Sequence, residues 1–238
     1  MHCKLCLEQK PIVNSHILPE FLYKHLDLYD DKHRFKVVST DPQERSKYEQ
    51  KGFREKLLCR DCESKIQRWE DYAARLWFQR SDPPIDVGET VIFKSVDYEK
   101  FKLFQLSILW RSSICTFSEF KGVSLSSGPH EERIRKMLLD ENPGDVNEYG
   151  CMITYSPRIQ DKIRQAIFIQ GMVRVDGHRR YLFLLGGLFW HFFVSSHTDR
   201  IPYKKAFLRK DGVLTFIKND DQTTDWMLRL FEDLRFKT

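Results

Sequence analysis

Two Cys-x-x-Cys pairs constrain this chain more than anything else in it. Cys3 and Cys6 form the first, Cys59 and Cys62 the second, and 52 residues separate them. Two thiolates on one tight turn both reach a zinc ion at about 2.3 Å, and two such turns complete a tetrahedron. A redox pair of the thioredoxin kind belongs beside a βαβ pattern, and neither pair is set in one. The chain reads as cytoplasmic, because its start is polar where a secretory leader would carry an apolar segment. In that compartment disulfides are rare and paired cysteines more often hold metal. The four cysteines are therefore expected to bind one structural zinc. Cys115 and Cys151 read as buried small hydrophobes.

The spacing carries further information. A zinc ribbon places about 15–20 residues between its pairs, so something is inserted here, and His16 lies in the insertion. Lengthening a loop is cheap, at roughly 0.6 kcal/mol per doubling, and zinc binding can close it. After Pro19 a short amphipathic helix is expected, with Phe21, Leu22, Leu26 and Tyr29 on its apolar side. A strand follows near residues 33–40. Residues 41–56 are strongly charged and read as a solvated loop or exposed helix, with Arg45, Lys47, Lys51, Arg54 and Lys56 on offer to a phosphate backbone.

From the second pair onward the pattern is helical. Ile66, Trp69, Ala73, Leu76 and Trp77 share one side, while Lys65, Arg68 and Arg75 fall on another. Ser81-Asp82-Pro83-Pro84 stops the helix. Glu63 and Glu70, seven residues apart, share a face, and the plain reading is a solvated acidic surface near a helix start. Knuckle, insertion, second knuckle and helix together make a treble-clef arrangement.

With these residues the first 80 or so positions resemble the zinc-stabilised HNH, or ββα-metal, endonucleases. The matching residues are Cys3, Cys6, Ser15-His16-Ile17-Leu18-Pro19, Leu58-Cys59-Arg60-Asp61-Cys62, Glu63 and Lys65. The resemblance implies that His16 is the base that activates water, that Glu63 ligates a catalytic magnesium or manganese, and that Ser15 stands where the family carries Asp or His. Hydrolysis of a phosphodiester needs such a base and such a cation, rigidly placed. Both positions depart from the family pattern, since Ser15 is a poor ligand and Glu63 replaces Asn or His. Lys65, Arg68, Arg54 and Lys56 are the candidate nucleic-acid contacts. His2, His25 and His33 have no comparable setting.

Beyond residue 84 the pattern changes, so the chain divides into a zinc domain (1–84) and a larger α+β domain (85–238). Strand-like 90–96, a long helix capped by Asp97, a second helix after Pro129, four strand-like runs and a closing amphipathic helix suggest an antiparallel sheet. The turn signals are Asp176-Gly177 and Gly186-Gly187. His191, inside an apolar run, reads as a satisfied core histidine. His178, Arg179, Arg180, His197, Asp199 and Arg200 fall at strand ends, and Lys204, Lys205, Arg209 and Lys210 form the densest basic patch. A net charge of +5 permits nucleic acid without demanding it. The longest apolar run has 14 residues, short of the roughly 20 that span a membrane.

The expectation is a DNA-cleaving, metal-dependent endonuclease, with restriction or phage defence implied by the resemblance. The alternatives are a non-catalytic zinc module that docks on nucleic acid or a protein partner, and a small-molecule enzyme whose site lies in the second domain.

Overall fold

The computed structural model describes residues 1–24, 29, 31–32, 34–37, 47–159, 163, 167–198 and 200–235. His25, His33, Arg45 and Asp199 lie outside them. After the first knuckle come β1 (Ile12–His16), α1 (Glu20–Lys24), β2 (Arg34–Val37), β3 (Lys47–Gln50), β4 (Arg54–Cys59) and α2 (Arg60–Phe78). β1 pairs antiparallel with β4, and the β2–β3 hairpin sits between them in sequence. The charged stretch expected as loop or helix thus supplies β3 and β4. Phe53 within that stretch, and Leu57 and Leu58 directly after it, are all buried.

The remainder comprises β5 (Ile85–Val87), β6 (Thr90–Phe93), α3 (Tyr98–Ile114), α4 (His130–Leu139), β7 (Cys151–Tyr155), β8 (Phe168–Val175), β9 (His178–Leu185), β10 (Leu188–Val194), β11 (Leu214–Lys218) and α5 (Asp221–Arg235). The strands form one seven-stranded sheet in the order β5-β6-β11-β7-β10-β9-β8. The fold is α+β as expected, but the sheet is mixed, because β11 runs parallel to β7. The reason is topological. β11 fills the slot between β6 and β7, which run in opposite directions, so it must lie parallel to one of them. Asp176-Gly177 and Gly186-Gly187 make the two hairpin turns, all four residues having positive φ. That is the backbone a two-residue hairpin of right-handed twist requires.

α3 is the centre of the molecule. Asp97 caps it, its carboxylate accepting from the Lys100 amide at 3.0 Å. Nearly every residue from Phe101 to Ser112 is buried, so the helix is covered on all sides. Trp77 of α2 lies 5.4 Å from Phe101 and 5.5 Å from Trp190 of β10, ring centre to ring centre. One apolar core therefore runs from Cys3 and Leu5 through α2 and α3 to Phe216 of β11, across residue 84. Lys102, buried within it, donates to the carbonyls of Glu148 (2.6 Å) and Asp145 (3.2 Å). Burial pushes its ammonium down to about 8.

Candidate metal centre

The first knuckle is a closed turn. The amide of Cys3 donates to the carbonyl of Glu8, the Leu7 amide donates back to the Cys3 carbonyl, and Leu7 takes a left-handed φ of 64°. Lys4 donates to the carbonyl of Leu57, which ties this turn to β4. The second pair straddles the junction of β4 and α2, with Cys59 as N-cap and Cys62 in the first turn. Pairing of β1 with β4 matches Ile12 to Cys59 and so brings the two turns together.

The four sulfurs lie within 4.8 Å of one another, and Cys6 Sγ is 3.9 Å from Cys59 Sγ. A tetrahedral zinc with 2.3 Å bonds separates its sulfurs by about 3.8 Å, so the set fits zinc. The Cys59 amide donates to Cys3 Sγ at 3.3 Å. Burial opposes ionisation of Cys3, but the amides of Cys59, Cys6 and Leu5 outweigh it and bring the thiol down to about 7. Burial and the sulfurs of Cys59 and Cys3 push Cys62 up. A cluster in which one thiol ionises easily and its neighbour resists is relieved by a dication, which lets every sulfur bind as thiolate.

Of the expected site residues, Glu63 follows Cys62 in the first turn of α2, whereas Ser15 and His16 stand at the far end of β1 from Ile12, the residue paired with Cys59. His16 ends β1, with its side chain 14% exposed, and its Nε2 is sealed without a hydrogen-bond partner. Glu20 Oε2, one turn away at the start of α1, is 3.9 Å from that nitrogen. Burial first, then the Arg54 guanidinium, hold the imidazole down to about 4, with Glu20 pulling the other way. His16 is therefore neutral at pH 7. Glu63 has its Oε2 sealed and unpartnered. Ser15 is fully buried, its hydroxyl likewise unpartnered. Alternation along β1 puts Ser15 on the strand face opposite to His16.

One residue that the sequence reading did not single out, Arg111, and one that it took for solvated surface, Glu70, organise the site. Arg111 of α3 is fully buried. It donates to the His16 carbonyl at 2.6 Å and to Glu70 Oε1 at 2.5 Å. Glu70 is thus no solvated surface carboxylate. Burial pushes its carboxyl up, Arg111 pulls it down, and Glu63 is close enough to raise it further. Glu70, Arg111 and the backbone of His16 form one connected group, which Glu63 influences through its charge. The signal for Glu20 lay four residues after His16, immediately behind Pro19. Arg111 gave no signal, standing alone in an apolar helix.

The basic residues are mostly engaged. Lys65 Nζ donates to the Leu139 carbonyl at 2.5 Å and lies 3.4 Å from Glu141. Arg68 meets the same carboxylate at 3.0 Å. Arg54 pairs with Glu20 at 3.2 Å, and Lys56 is exposed on β4. In the patch after β10, Arg209 binds Asp211, and Lys210 lies 2.9 Å from Asp145. No helix among the described residues is long and apolar enough to cross a membrane. No family model, curated protein or solved structure matches the chain, so what it does must be argued from this geometry.

Proposed function

We propose that the chain is a divalent-metal-dependent endonuclease of the HNH, ββα-metal kind, with a zinc-clamped treble-clef core. The observation that carries this reading is the His16 imidazole. It is neutral, largely buried and unpartnered at Nε2, and it is fixed at the end of a strand whose start is stapled by four thiols. A base must be unprotonated at working pH and within reach of the water it deprotonates. His16 meets the first condition by its surroundings. Glu63, with one sealed and unpartnered oxygen, is the carboxylate suited to magnesium or manganese. Such an ion, when bound, would neutralise charge on the scissile phosphate and the leaving oxygen. His16 Nε2 takes the proton of the attacking water. Glu20 stabilises the imidazolium that results, and Arg111 keeps the histidine backbone in register. DNA is the substrate this reading favours.

The test is cleavage of plasmid DNA by the full chain with magnesium or manganese. His16→Ala is expected to lower the rate by at least about 10²-fold with zinc content unchanged. Equal cleavage by His16→Ala, or no metal-stimulated cleavage of any nucleic acid by the wild type, overturns the reading.

A second reading, a zinc-stapled module that docks without turnover, is favoured by one observation. Ser15 holds the place where the family carries a ligand, and its hydroxyl is sealed in the interior. Saturable DNA binding without cleavage, unchanged by magnesium or manganese, is the outcome that reading expects.

A further inference from the structure

Helix α4, from the second half of the chain, touches both halves of the metal centre. Its Arg135 donates from Nη1 to the carbonyl of Leu5, which lies between Cys3 and Cys6 in the first knuckle. Its last residue, Leu139, accepts at 2.5 Å from Lys65, in the helix that carries Cys62. Just past its end, Glu141 meets Lys65 at 3.4 Å and Arg68 at 3.0 Å. α4 is thus a brace between the two cysteine turns.

The side chain of Arg135 is set for the first of these contacts. It is buried, and Glu132, one turn back, takes its Nε and Nη2 at 2.6 and 2.8 Å. That two-point grip fixes the guanidinium plane and leaves Nη1 for Leu5. The carbonyl it holds belongs to the Leu5–Cys6 peptide. The N–H of that same peptide, on Cys6, is one of the amides that ease ionisation of Cys3. Donation to a carbonyl polarises the peptide and makes its N–H the stronger donor. The guanidinium also lies close enough to Cys6 for the two charges to attract. Four thiolates about one dication keep a net negative charge, and in a largely buried place that charge needs donors and a cation beyond the ligands themselves.

We propose that Arg135 is a positioning residue of the zinc centre: through the Leu5–Cys6 peptide it orders the first knuckle, draws electron density from its sulfurs, and so slows release of the metal. The residue that does this stands 130 positions after the carbonyl it holds. The inference rests on zinc occupying the four-cysteine site and is independent of the nuclease reading.

The test loads the full chain with zinc and, separately, with cobalt. Zinc release to the chromogenic chelator pyridylazoresorcinol is timed, and the sulfur-to-cobalt charge-transfer band is recorded. Arg135→Met is expected to release zinc at least about tenfold faster, the usual scale for a group that orients a metal ligand. It should also move the band to longer wavelength, because its sulfurs are richer in electrons. Arg135→Lys keeps the charge without the fork and should fall between variant and wild type in both readouts. Should Arg135→Met fail to fold, Arg135→Lys carries the test alone. Release and band both unaltered in a folded variant, or faster release with an unmoved band, as loosening of α4 alone would give, overturns the assignment. A wild-type chain that takes up neither zinc nor cobalt overturns the metal centre itself, and the inference with it.

Discussion

Arg111 and Glu70 show what a single buried charge commits its neighbours to. The guanidinium is fully enclosed, and its charge is balanced by one carboxylate 2.5 Å away. Removing one partner of such a pair leaves the other uncompensated, which typically costs about 3–5 kcal/mol. Glu70→Gln should therefore unfold in urea with a stability loss of that order, far above the loss from neutralising the exposed Asp61. It should also disturb the His16 backbone, because the same guanidinium holds that carbonyl. At this scale the sequence was legible where chemistry depends on spacing along the chain. His16 stood out from its place after the first cysteine pair. Glu70 did not, since its partner lies 41 residues downstream and a carboxylate on a helix face looks the same whether it meets water or an arginine.

Among the elements, α2 depends most directly on the clamp. Its first turn has no side-chain cap, and Cys59 and Cys62 there contribute two of the four clustered sulfurs that fit a zinc ion. Zinc removal should release both the knuckle and the helix start. With structural zinc contributing several kcal/mol, a strong chelator should lower the Tm by about 10 °C. Cys59→Ser should reproduce that loss without chelator, whereas Cys115→Ser should leave zinc content untouched. Helix and hairpin positions were readable because caps and turns are local: Asp97 before α3, Asp176-Gly177 between β8 and β9, Gly186-Gly187 between β9 and β10. The parallel pairing of β11 with β7 was not. It follows from which slot in the sheet remains open, and no residue within either strand records that.

For the whole molecule, the change of composition near residue 84 is real in sequence, yet the apolar core passes straight across it. Ile66, Trp69 and Trp77 of α2 belong to the same packed body as Phe101, Phe104 and Trp190. A fragment ending at residue 84 would expose that face of α2 and leave Glu70 without its cation. It is expected to aggregate or to lack a cooperative thermal transition by calorimetry even with zinc supplied, while the full chain melts cooperatively. The bond from α3 to the His16 carbonyl has a mechanical consequence as well. The imidazole takes its position from two references: sulfur at the start of its strand and a rod resting on the large sheet at its end. A sub-ångström slide of that rod would carry the backbone of the proposed base with it, so turnover would be sensitive to repacking many residues away from any phosphate.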